Sequence, residues 1–295
     1  MATIDLLITV VLILIMFGIG ISLTFRDLQE VFLKPKALLV ALSSQMLLLP
    51  LIAFGISTIF DLPLYIKIGL ILLAASPGGT TAGYITYLFS GNVGLSIVLT
   101  TINSVLTIFT IPLIVNLSLH LFYGAGNTFH LPFFETMREI FMVTLIPVGM
   151  GIAFRKWKVN TAQKIAKITK PISIVLLGCV FLLKFIGTNQ EAGVTMHEIG
   201  EILPYALLLN VLCLLTGFGI ASVFKLGQKN QITISTESAV HNTTIAFLVA
   251  GSIMHQPDFG KVSLVYALFS FWTALAFCLF IIKWKKPSVK NVNKL

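Results

Sequence analysis

Apolar runs long enough to cross a bilayer recur along the whole chain, and polar positions break into them at two places. Their lengths and flanks predict nine crossings, at roughly 3–24, 37–57, 64–89, 93–117, 136–154, 168–187, 199–224, 231–254 and 260–282. About 20 apolar residues rising ~1.5 Å each span a ~30 Å hydrocarbon core. The eighth crossing is the one the chain is organised around. Its first half carries Thr233, Ser235, Thr236, Glu237, Ser238, His241, Asn242, Thr243 and Thr244, and only from Ile245 is it apolar enough for lipid. A carboxylate at such depth costs at least ~2.5–3.5 kcal/mol, so Glu237 is expected to face protein, water or a bound cation. A crossing that is half polar and half lipid-like predicts a helix broken near the midplane, where secondary transporters bind ions and solutes. The plainer alternative is a helix buried on all sides whose polar groups bond its neighbours.

The third crossing contains the second interruption, Ser76-Pro77-Gly78-Gly79-Thr80-Thr81-Ala82-Gly83. Pro77 lacks an N–H and clashes with the preceding turn, while Gly78 and Gly79 accept almost any backbone angle. The three predict a helix break, and backbone freed at that depth must be satisfied by protein or a cavity. In the fourth crossing Ser96, Thr100, Asn103 and Thr107 are spaced to share one helical face. Such a face is either packing glue or the lining of an ion site, and a broken helix next to it favours the second. The second crossing is apolar apart from Ser43, Ser44 and Gln45, and the sixth and seventh read as ordinary apolar spans.

Composition confirms the class and fixes an orientation. The chain is 57% hydrophobic and 11% charged, with a mean hydropathy of +0.97, which excludes a soluble domain. Most basic residues, including Arg26, Lys34, Arg155, Lys170, Lys225 and Lys286, fall on one side of the predicted crossings. Only Lys67, Arg138, Lys184 and Lys261 fall on the other. By the positive-inside rule the C-terminus is cytoplasmic and the N-terminus outside. The net charge of +9 is thus a topology signal and an attraction to anionic membrane lipid, with no nucleic-acid partner implied. Cys179, Cys213 and Cys278 all sit inside apolar runs, where they act as small hydrophobes and suggest neither disulfide nor metal. The first crossing has no basic region before it and does not read as a signal peptide.

Each broken crossing leads into a span that begins Gly-x-Val-x-Leu, at Gly91, Val93 and Leu95 and again at Gly260, Val262 and Leu264. Crossings one to four begin outside and six to nine begin inside, so the two repeats (about 3–117 and 168–282) would be inverted. The span at 136–154 links them, and a basic tail follows at 283–295. The predicted fold is therefore an all-α polytopic membrane protein of nine transmembrane helices in one transporter unit. Two discontinuous helices bring residues 77–83 against 237–242, which suits alternating access around a central cation and solute site.

These residues resemble the bile acid:sodium symporter family over essentially the whole chain. The resemblance is carried by Ser76-Pro77-Gly78-Gly79-Thr80, Thr86-Tyr87-Leu88 and Gly91-Asn92-Val93-x-Leu95-Ser96. Glu237 with Asn242 five residues on, Leu268-Phe269-Ser270-x-Trp272 and Met16-Phe17-Gly18-x-Gly20 add to it. It implies core and panel domains, the helix-break residues Pro77, Gly78 and Gly79 at the crossover, and two sodium sites behind it. One site would use positions Ala82, Gly83, Ser96, Thr100 and Glu237. The other would use Gln45, Glu237, His241 and carbonyls near Ser238 and Val240. Thr80 and Asn242 would contact the solute, with Thr273 and Ala274 where some relatives carry histidine and asparagine. The chain departs from the family at Ala82 and Gly83, usually serine and asparagine, and at His241, usually glutamine.

The resemblance implies a cell-membrane symporter for an organic anion, bile-acid-like or a small carboxylate. Sodium is the one possible cofactor, and its sites look partly degraded. Proton coupling or uncoupled exchange is the alternative, since a histidine beside a carboxylate carries a proton instead of a metal. A cation channel or sensor built on Glu237 would need a continuous polar path, whereas the polar residues cluster around two breaks. No HExxH, nucleophile motif or cofactor fingerprint points to an enzyme.

Overall fold

The computed structural model describes residues 2–22, 35–123, 132–162, 164–165, 168, 175 and 194–284. Those residues form helices and no strand, in the order α1 (Ala2–Ser22), α2 (Pro35–Ile59), α3 (Leu64–Ala75), α4 (Thr80–Leu88) and α5 (Val93–Tyr123). Then come α6 (Phe133–Trp157), α7 (Met196–Val223), α8 (Gln228–Ala239), α9 (Thr243–Ile253) and α10 (Pro257–Trp284). Five of them, α2, α5, α6, α7 and α10, are long and apolar enough to cross a membrane by length and composition. Helices dominate because each span is a near-continuous apolar run, and in lipid a helix satisfies every backbone group within itself. Most of the crossing expected at 168–187, Cys179 within it, lies outside the described residues, as does the tail from 285.

Three helices contain a wide π turn, at Ser44–Leu48 in α2, Phe141–Leu145 in α6 and Val249–Ile253 in α9. In the first two the cause is a proline just beyond, Pro50 and Pro147, which cannot donate to the carbonyl four residues back. The ladder slips by one residue instead, so that Leu49 N–H reaches Ser44 O and Ile146 N–H reaches Phe141 O.

Helix α1 packs on α6 backbone to backbone. A Cβ on Gly20 would run into the Val148 carbonyl, and one on Gly151 into that of Phe17. Arg155 Nη1 then donates to Ile21 O at 2.6 Å, satisfying a carbonyl in the last turn of α1. Helices α3, α5, α7, α8, α9 and α10 share one apolar core, with Ile66, Ile68, Leu70, Ile71, Leu72 and Leu73 of α3 at its centre.

Two features go beyond the expected crossings. The helix of the fourth crossing continues to Tyr123, where Phe122 stacks on Phe54 of α2 with centroids 6.2 Å apart. The second half of the eighth crossing, although apolar enough for lipid, is covered by protein, with Ile245–Ala250 all buried against neighbouring helices. At the N-terminal end of α7, Glu198 has partners on two elements. It closes a capping box with Thr195 and pairs with Lys261 at 2.6 Å, which also holds Asp258 at 2.7 Å.

Candidate functional site

The two interruptions lie against each other. Helix α3 stops at Ala75, and Ser76 turns to an extended conformation (φ −74°, ψ 150°) ahead of Pro77. Helix α8 stops at Ala239, with Val240 at φ −100°, ψ 84°. Gly78 and His241 then face each other as an antiparallel bridge. Gly79 N–H donates to Val240 O at 2.6 Å, and Asn242 N–H donates to Pro77 O at 2.7 Å. Each break thus supplies the partners the other needs, which is how non-helical backbone survives at depth. The glycines are required by proximity: a Cβ on Gly79 would sit 2.9 Å from His241 O, and one on Gly78 would strike the Glu237 carboxylate.

Glu237, in the last turn of α8, is 1% exposed. Ser96 Oγ donates to its Oε1 at 2.5 Å and Thr100 Oγ1 to its Oε2 at 3.0 Å, both from one face of α5. Hydroxyl bonds to a carboxylate are shorter and about twice as strong as neutral ones, which makes the buried oxygens tolerable. One turn further along α5, Asn103 Nδ2 donates to Gln45 Oε1 at 2.8 Å, and Gln45 lies in the π turn of α2. Thr86 and Thr236 share a hydrogen bond of 2.9 Å between α4 and α8. Asn92, between α4 and α5, takes Thr233 Oγ1 as acceptor for its N–H and Asn230 Oδ1 for its Nδ2.

The plainer alternative accounts for part of α8. Residues 231–239 are buried throughout, and Thr233, Ser235 and Thr236 return their hydroxyls to carbonyls of their own helix. It does not account for Ser238 Oγ or His241 Nε2, both buried without a partner among the described residues. Val240 meets the site through its carbonyl, already engaged by Gly79. Ala82 is fully buried, and a Cβ on Gly83 would stand 3.2 Å from Ser96 Oγ. That position is therefore within reach of the hydroxyl that holds Glu237, yet carries no side chain.

On the expected solute side, Asn242 caps α9 by accepting Ile245 N–H on Oδ1 at 3.1 Å. Thr80 begins α4, and its side chain is outside what the structure describes. Thr273 is turned toward α7, donating to Asn210 Oδ1 at 2.6 Å. Asn210 was not singled out by its sequence, nor was Tyr266. The Asn210 amide donates to Ala239 O at 3.1 Å and to Tyr266 Oη at 2.8 Å, while Tyr266 Oη itself donates to Ala239 O. Both are fully buried, and together they hold the carbonyl at the end of α8. A signal for Asn210 existed: it is a lone amide inside the apolar run 205–215 of a span that reads as ordinary. Tyr266 in an aromatic-rich span offered none.

Among the described residues the protein is all helical, with five helices long and apolar enough to cross a membrane and a buried carboxylate beside two paired helix breaks. The sequence profile of the sodium bile acid symporter family matches residues 9–194, and the chain belongs to that family, which is one of transporters and not of enzymes. It is 28% identical over 288 residues to an uncharacterized sodium-dependent transporter of Bacillus subtilis, YocS, covering 96% of this chain and 84% of that one. A probable chloroplastic sodium/metabolite cotransporter of rice, BASS2, is 29% identical over 83% of this chain and 56% of its own length. The rat hepatic sodium/bile acid cotransporter is 26% identical over 81% of this chain and 65% of its own. Against the plant and several animal relatives, this chain thus spans roughly half to two thirds of the relative's length.

Proposed function

We propose that the protein is a secondary transporter that moves an organic anion, a bile-acid-like molecule or a small carboxylate, in symport with a cation by alternating access. The observation that carries this reading is the buried Glu237 carboxylate, held by Ser96 and Thr100 directly behind the paired breaks. In the same reading the chain crosses the cell membrane nine times as two inverted repeats, with the N-terminus outside and the C-terminus in the cytoplasm.

The donor set suits sodium in part. A carboxylate, two hydroxyls, the Gln45 amide oxygen and the backbone carbonyl of Ser238 are hard oxygens of the kind an alkali cation takes. Ala82 and Gly83 add no side-chain oxygen, and His241 offers nitrogen. Glu237, Ser96 and Thr100 would hold one cation, and Glu237, Gln45, Ser238, the Val240 region and His241 a second. Sodium would supply positive charge that neutralises Glu237 and draws α5 and α8 together. Thr80 and Asn242 stand at the N-terminal ends of α4 and α9, whose dipoles favour an anionic headgroup. Thr273 of α10 would join them only by releasing Asn210 Oδ1, to which it donates.

A second reading, transport without sodium by proton coupling or exchange, is favoured by one observation. Gly83 lies within side-chain reach of Ser96 Oγ and provides nothing there. Uptake of a labelled bile acid or small carboxylate into proteoliposomes separates the two, with sodium replaced by choline and with or without a pH gradient. A steep, saturable sodium requirement supports symport with sodium. Accumulation that follows the pH gradient in choline supports the second reading, and no uptake above protein-free liposomes overturns both.

A further inference from the structure

Gln45 and Asn103 form a buried amide pair that makes only one of its possible bonds. Asn103 Nδ2 donates to Gln45 Oε1, while Gln45 Nε2 and Asn103 Oδ1 are buried with no partner among the described residues. Asparagine carries an acceptor as well as two donors, and a pair serving only to join two helices would close a reciprocal bond or reach backbone. Buried polar atoms left open are few in folded proteins, and each calls for a ligand or a role.

The position of the open oxygen gives that role. Asn103 lies one turn from Thr100 on the same face of α5, and Thr100 holds Glu237 Oε2. Ser44 and Gln45 of the π turn of α2 are both buried, and Ser44 Oγ also has no partner among the described residues. Such turns occur disproportionately at functional sites, because they re-aim side chains that a regular helix would place elsewhere. Gln45 Oε1 already accepts one bond from Asn103, whereas Asn103 Oδ1 has no partner among the described residues.

We propose that Asn103 is a ligand residue of the cation site, supplying Oδ1 to a monovalent cation bound at Glu237 while its Nδ2 fixes the Gln45 amide. One carboxylate with neutral oxygens matches a single positive charge, and no group of three or more His, Cys, Asp or Glu that would suit a divalent ion occurs among the described residues. The amide oxygen makes up for side-chain oxygens that Ala82 and Gly83 do not provide. This assignment rests on the cation-coupled reading above.

The test is thermal unfolding of the purified full-length protein in detergent, titrated with sodium chloride against choline chloride at constant ionic strength. Binding to the folded state raises the unfolding midpoint by mass action, so half-saturation is read without transport. Wild type is expected to show a saturable sodium-dependent rise that Glu237→Gln lacks. Even outer-shell partners of metal ligands cost about 10–100-fold on removal, so Asn103→Leu is expected to raise half-saturating sodium by about tenfold or more. Asn103→Asp keeps an oxygen and adds charge, and is expected to saturate at or below the wild-type concentration. A wild-type sodium response in Asn103→Leu, or a loss in Asn103→Asp equal to that in Asn103→Leu, overturns the ligand role and leaves the cation-coupled reading standing. Should Asn103→Leu not fold, Asn103→Asp against wild type decides by the same criterion. A wild type indifferent to sodium overturns the cation-coupled reading itself, and the ligand role with it.

Discussion

Gly78 and His241 stand opposite one another as an antiparallel pair, 163 positions apart in sequence. Around them two helices that stop inside the protein exchange the backbone bonds each has lost. This pairing fixes the end of α8, and with it the height at which Glu237 meets Ser96 and Thr100 of α5. The polar residues of the eighth crossing thus divide into two groups. Thr233, Ser235 and Thr236 donate to carbonyls of their own helix, while Glu237 is held from α5 and Ser238 Oγ and His241 Nε2 have no partner among the described residues.

Glu237→Gln is expected to abolish coupled accumulation while leaving expression and membrane insertion intact. The amide matches the carboxylate in shape and still accepts a bond from Ser96 or Thr100 on its oxygen, but it carries no charge for a cation. Uptake of labelled solute into proteoliposomes, with expression followed in parallel, checks this. Accumulation at the wild-type level would show that Glu237 is not the central cation ligand.

Asn210 and Tyr266 both donate to the Ala239 carbonyl, so either alone leaves it one partner. Interhelical hydrogen bonds inside membrane proteins average about 0.6 kcal/mol and reach about 1.7 kcal/mol. Tyr266→Phe is expected to destabilise within that range, and Asn210→Ala by more, because it also gives up its bonds to Tyr266 and Thr273. The double variant should cost more than the sum, because only then is the carbonyl stranded. Chemical denaturation in detergent of the four proteins measures the coupling, and strict additivity would mean that the two residues do not act on a shared carbonyl.

The breaks and Glu237 were legible in the sequence because proline, paired glycines and an intramembrane carboxylate are each costly in an apolar span. The shared face of Ser96, Thr100 and Asn103 was legible from helical spacing alone. What was not legible depends on packing between distant segments. Nothing in the run around Tyr266 distinguishes a tyrosine bonded to a helix end from one that fills space. The burial of Ile245–Ala250 was not legible, because an apolar half-helix reads the same whether lipid or protein covers it. The π turn that contains Gln45 follows from Pro50, but its consequence for which face Gln45 presents emerges only with the backbone in place.

His241→Gln restores the amide that relatives of this family usually carry, and it tests whether histidine has altered the coupling. The imidazole Nε2 is buried without a partner among the described residues, and nitrogen is a poor ligand for a hard cation. The substitution is expected to steepen the dependence of uptake on sodium and to lower any response to an imposed pH gradient. Sodium titrations of uptake in both proteins check this. Identical curves would mean that His241 does not contribute to the choice of coupling ion.

Asn242 combines two roles that a pair of substitutions can separate. Its Oδ1 caps α9, and removing a cap of this kind costs about 1 kcal/mol. Asn242→Ala is therefore expected to lower stability by about that amount and to weaken solute binding as well, which leaves its cause ambiguous. Asn242→Asp resolves it, because aspartate caps a helix as well as asparagine does. That variant keeps the cap of α9, yet it places a negative charge where an anionic headgroup would dock. Binding of the labelled anion is expected to fall steeply in Asn242→Asp, and sodium-dependent thermal stabilisation to persist, since the cation ligands are untouched. Anion binding at the wild-type level in Asn242→Asp would remove Asn242 from the solute site. A preference of either variant for cationic solutes over the wild type's anions would instead confirm that this position reads the charge of the cargo.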